Sequence, residues 1–187
     1  MFVAKEKCKR TAWHMGAGKG QIDILHKLWE WAKMLLTQEE LKNMFLAKEE
    51  CKSTAWLMSA GKGQIEVLHK LWEWSKKVLT QEELKYMFLA NDEFKRTAWR
   101  MAADKGQIEV LHKLWEWAKE VLTEEELSNM FLAKDRYKRT AWQVAAKKDQ
   151  LELLHLLHKM WVCAKEVLTR EELKNMFLAK EECKRTS

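Results

Sequence analysis

Proline is absent from the 187 residues, and glycine (6), tyrosine (2) and cysteine (4) are scarce. Loop-rich β proteins take much of their turn geometry from Pro and Gly, so this shortage argues for helices joined by other turn chemistry. Long apolar runs are missing too: every stretch of about 18 residues carries charge, which excludes a membrane helix. Met1-Phe2-Val3-Ala4-Lys5-Glu6 becomes charged at its fifth residue, without the apolar core of a secretory signal. A reducing compartment, cytoplasmic or nuclear, is therefore expected, with no disulfides. No nucleophile elbow or zinc-ligand cluster occurs, and Gly16-Ala17-Gly18-Lys19-Gly20 lacks the following Ser or Thr and the preceding strand of a phosphate loop. No enzyme activity, cofactor or metal is expected.

What is present is a chain of 22.3 kDa with 47% hydrophobic and 33% charged residues and 11 Trp. Such a composition is far from that of disordered segments, and a chain this size can bury roughly 70% of its unfolded surface. The net charge of +6 arises from 34 basic and 28 acidic residues mixed along the chain, which by itself implies no nucleic acid.

The dominant feature is an internal repeat. Thr-Ala-Trp begins at Thr11, Thr54, Thr97 and Thr140, always 43 residues apart. The next Thr of this series, Thr186, follows after 46, the three extra residues falling in the duplicated Leu153-Leu154-His155-Leu156-Leu157-His158. Counted from each Phe, the units are 2–44, 45–87, 88–130 and 131–176, with 177–187 as a partial unit. The chain begins and stops within the unit pattern and shows no polar capping unit, which suggests a piece of a longer array.

Each unit reads as three helices and an extended or hairpin link. Thr54 caps a short helix that runs to Gly61 and Gly63. After Gln64, Ile65, Leu68, Leu71, Trp72, Ser75 and Leu79 recur at helical spacing. Thr80-Gln81-Glu82-Glu83 is a capping box flanked by Leu79 and Leu84, and it recurs at Thr37/Glu40, Thr123/Glu126 and Thr169/Glu172. One unit alone cannot bury Trp56, Leu68, Trp72 and Leu84, whereas stacked units share one apolar layer. The expected fold is all-α, a solenoid of stacked helix-turn-helix repeats with hairpin-like links.

Thr97-Ala98-Trp99, Ala102-Ala103 and Gly106-Gln107-Ile108-Glu109-Val110-Leu111, preceded by Asp92, match in order and spacing an ankyrin repeat, and the resemblance covers every unit. The family's Pro is Ala12, Ala55, Ala98 and Ala141, and its Leu is Trp13, Trp56, Trp99 and Trp142. Its turn Gly is Lys9, Lys52, Lys95, Lys138 and Lys184; since Lys takes a positive φ less readily, a different hairpin tip is expected. The unit is about ten residues longer than the family's roughly 33, through a longer second helix and the boxed third one.

The remaining polar and aromatic residues divide between core and surface. Trp residues at helical spacing are core, with Trp31, Trp74 and Trp117 expected to be partly exposed, one step off the main stripe. His26, His69, His112 and His155 form a ladder, but stacked helices lie about 8–10 Å apart and metal bonds are near 2 Å, so the ladder cannot chelate. Cys8, Cys51 and Cys183 alternate with Phe94 and Tyr137 at one position, as small hydrophobes.

The resemblance implies that partners are met by hairpin tips and the end of the first helix, on the concave face. There the chain offers thirteen basic against three acidic residues, a net +10. The expected partner-binding residues are Lys5, Cys8, Arg10 and Lys19 in unit one and Lys48, Cys51 and Lys62 in unit two. Unit three adds Phe94, Arg96 and Lys105, and unit four Lys134, Tyr137, Arg139 and Lys148. The function this implies is a monomeric, non-catalytic scaffold that binds an acidic protein partner, with Phe94 and Tyr137 as anchors. Nucleic-acid binding through the same stripe is the alternative, although no element reads a groove and Glu50 and Glu93 interrupt it. A third possibility is a fragment with no function of its own.

Overall fold

The computed structural model describes residues 10–146 and 152–178. Unit one contributes α1 (Ala12–Lys19), α2 (Ile22–Leu35) and α3 (Gln38–Leu46); unit two α4 (Ala55–Lys62), α5 (Ile65–Val78) and α6 (Gln81–Leu89). Unit three contributes α7 (Ala98–Lys105), α8 (Ile108–Val121) and α9 (Glu124–Leu132); unit four α10 (Ala141–Ala145), α11 (Glu152–Val167) and α12 (Arg170–Leu178). Among the described residues no strand forms; the nearest to one is an isolated bridge between Asn91 and Thr97.

The helix boundaries follow local chemistry. Thr11, Thr54, Thr97 and Thr140 each accept a backbone N–H three residues on, capping α1, α4, α7 and α10. Gly20, Gly63 and Gly106 end the first three of these in the left-handed conformation that releases the chain into the second helix. Gly61 does not end α4 but lies inside it, where a Cβ would come within 2.7 Å of the terminal methyl of Met101 in α7. The capping boxes of the third helices form as expected at Thr37, Thr80 and Thr123, and Thr169 and Glu172 exchange the same bonds at α12.

First helices stack on first helices, α1 on α4, α4 on α7 and α7 on α10, while each third helix leans forward onto the next unit's second helix. Polar bonds fix that overlap. Gln38 Nε2 donates to the Val78 carbonyl at 3.1 Å, and Ser128 Oγ to the Val167 carbonyl at 2.8 Å. Lys42 reaches Glu83 at 2.9 Å and Lys85 reaches Glu126 at 3.3 Å.

Indoles form the joints. Trp74 lies flat against Trp29 of the preceding unit, centroids 5.4 Å apart and planes 16° apart, and also touches Trp13 and His26. Trp117 repeats this against Trp72 at 5.6 Å and 24°, beside Trp56 and His69. The expectation that Trp31, Trp74 and Trp117 would be partly exposed therefore holds only for Trp31. Trp74 and Trp117 are buried, because one helical step off a unit's own stripe is the stripe that faces the previous unit. The indole N–H groups of Trp13, Trp56, Trp72 and Trp99 are buried without a hydrogen-bond partner among the described residues. Each such loss costs about 1–3 kcal/mol, against which stand the 150–250 Å² that an aromatic side chain of this class buries.

The three extra residues of unit four do not break its second helix: α11 has 16 residues where α2, α5 and α8 have 14. His158 stands three residues before Trp161, as His26, His69 and His112 stand before Trp29, Trp72 and Trp115. The ladder in unit four thus passes through His158, not His155.

Trp74→Ala should cost about 3–5 kcal/mol of stability, whereas Trp31→Ala should stay within about 0.5 kcal/mol of the parent. Urea unfolding followed by circular dichroism checks both.

Candidate functional site

The links between units are short hairpins, and a buried carboxylate builds each one. Asp92 Oδ1 accepts the backbone N–H groups of Phe94 and Arg96, both at 2.9 Å. Asp135 does the same for Tyr137 and Arg139 at 2.8 and 3.0 Å, and Glu49 Oε1 for Cys51 and Ser53 at 2.9 and 3.2 Å. Lys52, Lys95 and Lys138 occupy the tip with φ of 58°, 60° and 63°. The expectation that Lys would not take the positive φ of a turn Gly is thus overturned: lysine adopts the left-handed conformation in a loop closed by the bonded acid. Neighbouring hairpins are tied edge to edge, Glu93 N–H donating to the Cys51 carbonyl and Arg136 N–H to the Phe94 carbonyl, both at 3.0 Å.

The tips of units three and four interleave arginine with aromatic rings. Arg136 lies 4.2 Å over Phe94 and 4.8 Å over Tyr137; Arg96 covers Phe94 at 4.9 Å and Arg139 covers Tyr137 at 5.0 Å. Arg136 also donates to the Tyr137 hydroxyl at 2.6 Å. Beneath them Arg100, buried, donates to the Arg139 carbonyl and pairs with Asp135 Oδ2 at 2.8 Å. Burial pushes the Arg100 guanidinium down from its usual range while the charge of Asp135 works against that shift. Burial raises the Asp135 carboxyl, but the Arg139 N–H, the Arg100 charge and the other donors outweigh it and leave it below the ordinary 3.8.

Several of the expected contact residues are already engaged inside the fold. Arg96 pairs with Asp92 at 2.7 Å, Arg139 with Asp135 at 3.0 Å, and Arg10 with Glu49 of the following hairpin at 3.4 Å. Their first task is to hold hairpins. Lys48 donates to the Asn91 carbonyl at 3.3 Å and sits 6.0 Å from the Tyr86 ring, in a recess with Glu82, Lys85 and Glu126 apart from the Arg–aromatic cluster. Lys134 is exposed. Cys51 is exposed at its tip, and the charge of Glu49 pushes its thiol up, away from reactivity. Lys19, Lys62 and Lys105 are exposed in the last turns of α1, α4 and α7, one beside the next along the stacked first helices. Lys5, Cys8 and Lys148 lie outside the described residues. Arg100 was not among the expected contacts; its place in the unit is that of His14, which bridges units as well, its ring nitrogen lying 2.9 Å from the Ala47 carbonyl.

Among the described residues no group of three His, Cys, Asp or Glu could hold a metal ion, and no helix is long and apolar enough to cross a membrane. No protein-family profile and no curated protein matches the chain. The fold is similar to that of a chain in the crystal structure of the yeast ribosomal protein Rps3 in complex with its chaperone Yar1. The TM-score is 0.61 at 21% identity, covering 78% of this chain and 86% of that one. Together with the helix order this defines the class: an all-α solenoid of stacked repeats.

Lys95→Gly should raise stability by about 0.5–1 kcal/mol, the relief of a left-handed non-glycine residue less the greater unfolded-state entropy of Gly, as read by the urea midpoint. Asp135→Ala should cost about 3–5 kcal/mol by stranding the buried Arg100. Because the folded carboxyl titrates below 3.8, the parent's stability from this group is complete at neutral pH and is lost as pH falls through 3.8 toward the lower folded value. The variant should lack that segment of acid dependence in pH-dependent urea titrations.

Proposed function

We propose that the chain is a non-catalytic protein-interaction scaffold of the ankyrin type, which captures an acidic, partly apolar segment of a protein partner along the hairpin ridge. The carrying observation is the interleaved arginine and aromatic surface of Phe94, Arg96, Arg136, Tyr137 and Arg139 beside the row of Lys19, Lys62 and Lys105. Rings whose faces are already covered by guanidinium offer edges and charge together, a combination that takes a carboxylate next to an apolar group. The structure whose fold it shares contains a chaperone in complex with its protein partner, which supports the same general role. Free thiols at Cys51 and Cys163 suit the reducing cytoplasm.

The fixed arginines cannot be reversed without loosening the hairpins, so the test belongs on the lysine row. In fluorescence anisotropy with a labelled peptide alternating glutamate and leucine, Lys19→Glu/Lys62→Glu/Lys105→Glu should weaken binding about tenfold or more. Equal affinity for parent and triple variant at low salt would sink the proposal. A labelled DNA duplex run in parallel, bound with a steep salt dependence, would favour nucleic acid instead.

A further inference from the structure

A cavity of about 140 Å³ opens between the hairpins of units three and four. Phe94 and Tyr137 are its apolar walls, each ring carrying a guanidinium on it, and Arg96, Arg100 and Arg139 line the rest together with Asp104 and Asp135. The preceding joint has no such lining. There the places of Phe94, Arg96, Arg100 and Asp104 are taken by Cys51, Ser53, Leu57 and Gly61, and Arg96 is the one guanidinium among the corresponding positions.

The cavity has more donors than acceptors. Arg96 and Arg139 each give Nε and Nη2 to the aspartate of their own hairpin, which leaves Nη1 of both without an acceptor among the described residues. Arg100 gives Nη1 to the Arg139 carbonyl and Nη2 to Asp135, while its Nε–H, in a side chain 5% exposed, has no acceptor. A buried guanidinium N–H in that state is unfavourable until something accepts from it. Asp135 cannot, because its oxygens already take the N–H groups of Tyr137, Arg139 and Arg100. Asp104 is half-buried and makes no hydrogen bond or ion pair among the described residues. With the ring-bound Arg136 and with Asp92 behind Arg96, four guanidiniums stand against three carboxylates, so one positive charge is left over.

On the reading that the ridge captures an acidic segment, on which this step rests, we propose that the cavity seats one carboxylate of that segment. The carboxylate accepts the N–H groups that Arg96, Arg100 and Arg139 leave unassigned, and the carbons before it lie between Phe94 and Tyr137. Its single charge cancels the surplus. A phosphate monoester, at about −1.5 to −2, would bring excess negative charge against Asp104. The carboxylate belongs either to a glutamate or aspartate side chain or to the partner's C-terminus.

Fluorescence anisotropy at fixed ionic strength tests this with two labelled peptides. One alternates glutamate and leucine and is amidated at its C-terminus; the other alternates glutamine and leucine and ends in a free carboxylate. Binding of the first identifies a side-chain carboxylate, binding of the second a terminal one. Arg100→Leu should weaken capture of the bound peptide about tenfold or more. Leucine already fills this position as the buried Leu57 of unit two, and Asp135 keeps Arg139 and its loop N–H groups. Asp104→Asn, which breaks no hydrogen bond and so reports whatever Arg100→Leu does to the fold, should tighten capture about threefold by removing the opposing charge. A folded Arg100→Leu chain that binds like the parent, or an Asp104→Asn chain that binds no more tightly, would overturn the pocket. Loss of binding in the Lys19→Glu/Lys62→Glu/Lys105→Glu chain alone would then leave the ridge standing without the pocket. Loss in Arg100→Leu with none in the lysine variant would do the reverse, and a parent that binds neither peptide would end both.

Discussion

The first two joints of this molecule depend on an indole from one unit lying flat on an indole of the unit before it. A unit contains too little apolar surface around its own three helices to hold itself together, so the Trp29–Trp74 and Trp72–Trp117 contacts serve as core packing and as assembly at once. Offset stacking adds about 0.5–1.5 kcal/mol beyond area burial and fixes the angle between neighbours. The third helices then latch the joint from outside with Lys42–Glu83 and Lys85–Glu126. These half-buried pairs set register more than they add stability.

That register places the hairpins. Once the first helices stack, their caps Thr54, Thr97 and Thr140 sit in line, and the loops preceding them have to close within a few residues. Glu49, Asp92 and Asp135 do this by collecting two N–H groups each from the loop, which turns a lysine through positive φ and leaves the tip side chains pointing away from the stack. Charge on the ridge is consequently of two kinds. Arg10, Arg96, Arg100 and Arg139 answer the buried acids and are part of the loop's own architecture, whereas Arg136 lies over the rings and the lysines at the ends of the first helices are exposed.

The repeat, the three helices per unit, the capping boxes and the solenoid were legible in the sequence because each rests on local spacing or on a motif present four times at 43-residue intervals. The hairpin link was legible only in outline. Two kinds of feature were not. Trp74 looked off-stripe because the period of a single helix describes burial within a unit and carries no information on the face turned to a neighbour; comparison between units, with Trp31 as the exposed reference, supplies it. The engagement of Arg10, Arg96 and Arg139 was hidden for a related reason. Counting charges along a face treats each as solvated, whereas the carboxylates of Glu49, Asp92 and Asp135 bind the arginines. A signal was present in Arg100, which replaces a residue type that bridges units in His14, but the exchange of imidazole for guanidinium does not announce its acceptor.

Cys163 occupies the place of Trp74 and Trp117 at the joint between units three and four. A thiol is far smaller than an indole, so this joint lacks the stacked ring pair of the other two and is tied instead by the buried Arg100, bonded to Asp135 and to the Arg139 carbonyl. While the joint is shut, burial and the nearby Glu166 hold the thiol up at about 11, chemically silent. Opening that joint would therefore uncover a sulfur where opening either of the other two would uncover an indole.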